Sequence, residues 1–180
     1  MIYVFLAEGF EEIEALAPVD LMRRAELDVK TVAIGSKSSV KGAHGIEIVA
    51  DITEAEFCDK SPSVVVLPGG MPGTTNLMES ATVSFAVIDA LAGGGLVCAI
   101  CAAPSIPGQM GLLKNHRATC FPGFEEYLDG ATPSDERVLC DGQFITAKGM
   151  GCAHEFGLAI IEALLGKEKS DEIAKSAFIK

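Results

Sequence analysis

Cys101 is the side chain of this 180-residue sequence best placed to act as a nucleophile. It ends the run Gly94-Gly95-Leu96-Val97-Cys98-Ala99-Ile100-Cys101-Ala102-Ala103-Pro104-Ser105. Residues 96–100 are apolar and partly β-branched, with glycines before them, and predict a buried central strand. Pro104 suits the first turn of a helix, where a missing N–H costs nothing. Cys101 is therefore expected on a tight strand-to-helix turn, the geometry of a nucleophile elbow, facing the positive end of a helix that lowers its pKa. A cysteine nucleophile also needs donors for the oxyanion formed on attack. The N–H groups of Gly70 and Ala102 are the candidates, one in a Gly-Gly turn and the other directly after the cysteine. Glu14 is the candidate carboxyl. Facing a cleft beside sulfur, it would be desolvated, its pKa would rise, and it could share or donate a proton. The competing reading is that Glu11, Glu12 and Glu14 are a solvated first helical turn matched to the dipole. Cys98 forms a C-x-x-C with Cys101, but zinc needs a second close pair and a dithiol site needs both residues at the helix start. A buried small hydrophobe describes Cys98 better.

The elements that must position these residues alternate strand and helix. Ile2–Leu6 predicts the first buried strand, and the loop Ala7–Phe10 leads into a helix over 11–25. Its apolar residues at 13, 16, 17, 21 and 25 keep helical spacing, and Pro18 is expected to kink or restart it. Val29–Ile34 is a second strand, 35–41 a polar loop, Ile46–Ala50 a strand-like run and 51–57 a weak helical segment. Val64–Leu67 predicts a central strand that stops at Pro68-Gly69-Gly70-Met71-Pro72-Gly73, where glycines let the backbone approach a ligand. Residues 74–91 read as one broken helix or two short ones, with Ser80 as an N-cap. After the Cys101 turn come a short helix, a strand over 117–121, and one or two helical turns over 122–128. A hairpin over 138–146 is centred on Asp141-Gly142. A small-residue loop over 147–153 precedes a helix over 155–165 closed by Gly166, and a last helix follows from Lys167. This pattern predicts a doubly wound α/β fold in one domain over 1–180. Such sheets bind ligands beyond the carboxyl ends of the strands. That edge should gather the loops 7–14, 68–73 and 101–105.

Composition narrows the classes. Formal net charge is −11, and the basic residues form no patch, which argues against nucleic acid and anionic membrane as partners. No apolar run approaches the roughly 20 residues that cross a bilayer. Ile2–Ala7 lacks the features of a signal peptide, so a cytoplasmic location and six reduced cysteines are expected.

Four segments, FLAEGFEEIEALAPVDLMRRA, VVVLPGGMPGTTNL, AICAAP and HEFGLAIIEALLGK, occur in this order. Together they resemble the ThiJ/PfpI superfamily, in its branch of the parkinsonism-associated protein deglycase, almost end to end. The resemblance implies a flavodoxin-like sandwich and a homodimer. It implies that Cys101 is the family's reactive cysteine, that Glu14 is its protonated carboxyl partner, and that Gly70 and Ala102 hold the oxyanion. His44 matches a basic position in a loop reaching toward the partner subunit's site. Two family histidines are absent: Phe121 precedes Pro122 where one branch has His-Pro, and Ala102 follows the cysteine where the protease-like branch has histidine. Peptidase action is thereby disfavoured. The implied function is cofactor-independent, metal-free chemistry of Cys101 on reactive α-oxoaldehydes, or on their adducts with protein or nucleotide, of the glyoxalase or deglycase type. The alternative is an oxidative-stress sensor or chaperone acting through oxidation of Cys101.

Overall fold

The computed structural model describes residues 1–179. In chain order the strands are β1 (Ile2–Leu6), β2 (Val29–Ala33), β3 (Ser39–Lys41), β4 (Glu47–Val49), β5 (Ile52–Thr53), β6 (Val64–Leu67), β7 (Leu96–Ile100), β8 (Arg117–Ala118), β9 (Thr132–Pro133), β10 (Val138–Asp141) and β11 (Phe144–Ala147). The helices are α1 (Glu12–Arg24), α2 (Gly73–Glu79), α3 (Ala81–Ala92), α4 (Ser105–Gln109), α5 (Ala153–Leu165) and α6 (Lys167–Ser176). Seven strands form one sheet in the order β10-β11-β7-β6-β1-β2-β5, with every pairing parallel except that of β10 with β11.

Side-chain alternation divides the core between the two faces of this sheet. Ile2, Val4 and Leu6 point to the face covered by α1, α5 and α6, where they meet Met22, Phe156 and Ile160. Tyr3 and Phe5 point to the other face, with Val83 and Val87 of α3 and Ile106 of α4. Strands buried on both faces must be apolar throughout, which is why β1 and β6 read as unbroken apolar runs.

The fold is the α/β sandwich expected, with local differences. α1 runs unbroken through Pro18. The ring removes only the N–H that would have bonded the Glu14 carbonyl, one turn back, and the buried Pro18 packs in the interface with α5. The segment 35–41 contains β3, which pairs with β4 in a separate hairpin. Residues 54–56 form only a single 3-10 turn, whose N-cap Thr53 is bonded to Glu56. The hairpin turn sits one residue later than expected. Asp141 pairs with Phe144, and Gly142, at φ +59°, is the first turn residue. The strand over 117–121 shrinks to β8, because its neighbour β9 offers only two residues. Residues 74–91 are two helices, and the Ser80 hydroxyl caps the second at the Val83 N–H. No helix of the described residues is long and apolar enough to cross a membrane.

Candidate active site

Four parallel strands, β1, β6, β7 and β11, deliver their carboxyl ends to one edge of the sheet. β7 hands over to Cys101, which adopts φ +65°. This is a costly conformation for a residue with a Cβ, by about 1–2 kcal/mol. Main-chain bonds hold it: the Cys101 N–H donates to the Ala147 carbonyl at 2.8 Å, and its carbonyl accepts from the Phe121 N–H at 2.8 Å. The sulfur of the partly buried Cys101 receives the backbone N–H groups of Ala102 and Gly70. Gly70 has φ +87°, the left-handed conformation that turns its amide inward. The loops 7–14, 68–73 and 101–105 do converge here. Glu11 N–H bonds the Gly69 carbonyl at 2.9 Å, and Gly73 N–H bonds the Gly9 carbonyl at 3.2 Å.

Glu14 reaches this edge from the first turn of α1. Glu11 makes that turn by accepting the Glu14 N–H on its own carboxylate at 2.7 Å, as an N-cap. Glu14 is 1% exposed, so it is no part of a solvated turn. Its Oε2 accepts the Gly69 N–H at 2.9 Å, and the carboxyl also meets the Cys101 thiol and the Met150 N–H. Burial pushes its pKa up to about 7, against the hydrogen bonds from Cys101, Gly69 and Met150.

Cys101 itself departs from expectation. Its pKa is raised to about 12 by burial, by the neighbouring Glu14 charge and by the Glu14 hydrogen bond, and the N–H groups of Ala102 and Gly70 offset only part of this. The helix credited with lowering it begins at Ser105 and has five residues, too short and too far along the chain to supply a strong dipole. At neutral pH the pair therefore rests with Cys101 as a thiol beside a carboxyl whose proton is held more tightly than usual.

This buried carboxyl has a stability signature. Its folded pKa lies above its unfolded value, so between about 4.5 and 7 the folded state holds more protons. Stability therefore falls as pH rises through that window, by roughly 3 kcal/mol in all. Glu14→Gln removes the penalty. Its thermal midpoint should exceed the parent's by roughly 6–12 °C at pH 8 and come close to it at pH 5. Thermal melts at the two pH values check this, and an equal offset at both would refute it.

Other candidates fall elsewhere. Cys98 is fully buried, and burial drives its pKa well above the ordinary thiol value. His44 is exposed, and its Nδ1 lies 2.9 Å from Oε2 of Glu12 and 3.9 Å from Glu11. Burial opposes the Glu12 charge, yet hydrogen bonds from the His44 ring and from the backbone of His44 and Ile46 keep its pKa below the ordinary range. Within the chain His44 thus ties the β3–β4 hairpin to the start of α1 and is not joined to Cys101. Two contributors were not anticipated. Gly69 serves Glu14 rather than the sulfur, and the loop 149–152 brings the Met150 N–H. Arg137 pins that loop by donating to the Gly151 carbonyl at 2.8 Å and to the Glu155 carboxylate. The signal for it was the glycine-rich stretch after β11, which ends on the same sheet edge. The Phe121 ring lies beside Gly149, on the side that Glu14 also approaches.

A model of the DJ-1/PfpI family matches residues 1–163. The chain belongs to this family. It is 36% identical to the Drosophila melanogaster protein dj-1beta over 178 residues, covering 98% of this chain and 95% of that protein. A Caenorhabditis elegans relative named glutathione-independent glyoxalase DJR-1.2 is 34% identical over 170 residues, covering 93% and 90%. A DJ-1 superfamily protein from Salmonella typhimurium superposes with TM-score 0.94 at 35% identity, covering 99% and 98%. This DJ-1/PfpI chain thus keeps the family's mostly parallel sheet flanked by helices.

Proposed function

We propose that the chain is a glyoxalase-type enzyme that converts α-oxoaldehydes such as methylglyoxal into 2-hydroxy acids through Cys101. The observation that carries this reading is the buried Glu14 carboxyl hydrogen-bonded to a thiol whose sulfur also receives two backbone N–H groups. The glyoxalase name of the C. elegans relative supports it.

The pKa order supports a base-assisted first step. A thiol near 12 is not a thiolate at pH 7, so ionised Glu14 removes its proton as sulfur attacks the aldehyde carbon. A C–S bond forms and the carbonyl π bond opens. The Gly70 and Ala102 N–H groups hold the oxyanion until Glu14 returns the proton, leaving a hemithioacetal. Glu14 next takes the proton from C1. The electron pair moves toward C2, the former ketone gains two hydrogens by way of an enediol, and C1 becomes a thioester. Water cleaves the C–S bond, and the thiol is regenerated. The oxidation of C1 balances the reduction of C2, with water as the only co-reactant. Phe121 provides no second proton carrier, so Glu14 serves every transfer.

Because Glu14 must be ionised to act, kcat/KM for methylglyoxal should rise with pH through about 7 and then level. Lactate formation measured from pH 5 to 9 tests this. A flat profile, or one falling through 7, would remove Glu14 from the base role.

The second reading is an oxidant sensor at the same cysteine, favoured by an only partly buried residue beside a carboxyl that can donate to a sulfinate. Oxidants attack the thiolate, so the raised thiol pKa weighs against it. Mass mapping after mild peroxide separates the two. Two oxygens gained only at Cys101 support sensing, and oxidation spread over all six cysteines opposes it.

A further inference from the structure

Three metal-ligating side chains meet where α1 begins. Glu11, Glu12 and His44 each offer one donor atom, and these atoms all lie within 4.8 Å of one another. Among the described residues, no other trio of histidine, cysteine, aspartate or glutamate side chains gathers so closely. His44 Nδ1 is 2.9 Å from Glu12 Oε2 and 3.9 Å from Glu11 Oε1. Donors that share a tetrahedral ion at bonds of about 2.0–2.1 Å stand roughly 3.3 Å apart. The two observed separations bracket that value.

The main chain selects which oxygens face the imidazole. Glu11 spends Oε2 as the N-cap, accepting the Glu14 N–H at 2.7 Å, and keeps Oε1 for His44. Glu12 spends Oε1 on the backbone N–H groups of His44 at 2.8 Å and Ile46 at 3.3 Å, and keeps Oε2 for the ring. Donors on the far oxygen orient a carboxylate as outer-shell partners do at metal centres. Gly42 makes the approach possible, since a Cβ there would overlap the Glu12 carboxyl. The side chains differ in freedom. Glu12 is 3% exposed and fixed, whereas His44 is 71% exposed and can swing to close on an ion. Two carboxylates alone would be an ordinary acidic first turn, content with the helix dipole. The imidazole changes the chemistry. One nitrogen with two carboxylate oxygens suits zinc and its divalent neighbours. Calcium and magnesium take oxygen, and copper(I) takes sulfur.

We propose that Glu11, Glu12 and His44 form a binding site for one divalent transition-metal ion of the zinc type, with water in the fourth position. The ion takes Nδ1 of neutral His44 and one oxygen from each carboxylate. The proton that Nδ1 otherwise shares with Glu12 passes to solvent. Bound there, the ion clamps the β3–β4 hairpin onto the start of α1. It takes no part in the chemistry of Cys101, so the site stands apart from the glyoxalase reading.

Cobalt(II) is the probe, because its absorption separates nitrogen and oxygen ligands from thiolate in a chain with six cysteines. On the purified full chain the first equivalent should bind saturably, one ion per chain, without a thiolate-to-cobalt charge-transfer band. His44→Ala and Glu11→Gln should each weaken it by about tenfold or more. His116→Ala, at the separate His116–Asp141 pair, should bind as the parent does. Folding is preserved by design. His44→Ala keeps the backbone N–H that Glu12 accepts, and Glu11→Gln keeps an acceptor for the Glu14 N–H. Both should therefore melt near the parent's midpoint without metal, while saturating cobalt raises the parent's midpoint and leaves that of His44→Ala unmoved. Three results overturn the site: no saturation up to about 1 mM, parent-like affinity in both His44→Ala and Glu11→Gln, or a thiolate band from the first equivalent. Each would leave His44 and Glu12 as a plain ion pair.

Discussion

Cys101→Ser should lower lactate formation from methylglyoxal by roughly 10³-fold or more, to the rate of buffer. Serine keeps the shape of the turn and a hydroxyl in reach of Glu14. It loses the soft, polarisable nucleophile, and its proton is held far more tightly than that of a thiol. A carboxyl at about 7 can assist a thiol near 12 as sulfur attacks. It cannot do so effectively for an alcohol. Cys101→Ala should behave the same way, and both variants should fold, since the main-chain bonds to Ala147 and Phe121 do not involve the side chain. A product assay with far-UV circular dichroism as the folding control decides this. Parent-like turnover in Cys101→Ser would end the covalent mechanism, because no other described cysteine meets both Glu14 and the two N–H donors.

The second large effect is expected at Gly69, which touches no substrate. A Cβ there would sit 2.6 Å from the Cys101 Cβ, 2.6 Å from Glu14 Oε2 and 3.0 Å from the Ile100 carbonyl oxygen. None of these can retreat. Cys101 is fixed by its backbone, Ile100 belongs to the central strand, and Glu14 is held by the Gly69 N–H itself. Gly69→Ala should therefore cost about 2–3 kcal/mol of stability, seen as a thermal midpoint lower by roughly 4–10 °C. It should also push Glu14 off the thiol and cut kcat more than KM. A variant with parent-like melting and kcat would show that the loop moves freely and that the close approach is not needed.

Much of this arrangement was legible in the residues, for physical reasons. Strands buried on both faces must be apolar, so Ile2–Leu6, Val64–Leu67 and Leu96–Ile100 announce themselves. Parallel order then forces their following loops to one edge, which places Glu14, the Gly69-Gly70 pair and Cys101 together. Local electrostatics were less accessible. The thiol shift depends on how deeply Cys101 and Glu14 are enclosed and on the true length of α4, and no pattern of residue types reports either. The same holds for β3, β5, β8 and β9. Strands of two or three residues carry too little periodicity to distinguish them from loops. Pro18 misled for a simpler reason. Its rule concerns an average helix interior, whereas here the buried ring packs against Gly157 of α5, and that tertiary contact offsets the one forfeited bond to the Glu14 carbonyl.

Sulfur and carboxyl are gripped at this site by main-chain amides, those of Gly69, Gly70, Ala102 and Met150. An amide is supplied by every amino acid but one. At Met150, whose side chain is half exposed, the identity of the residue is thus uncoupled from the service it renders. Saturation mutagenesis there should show a surface-like tolerance broken by proline alone, so that drift in the written sequence can proceed while the reactive pair is inherited unchanged.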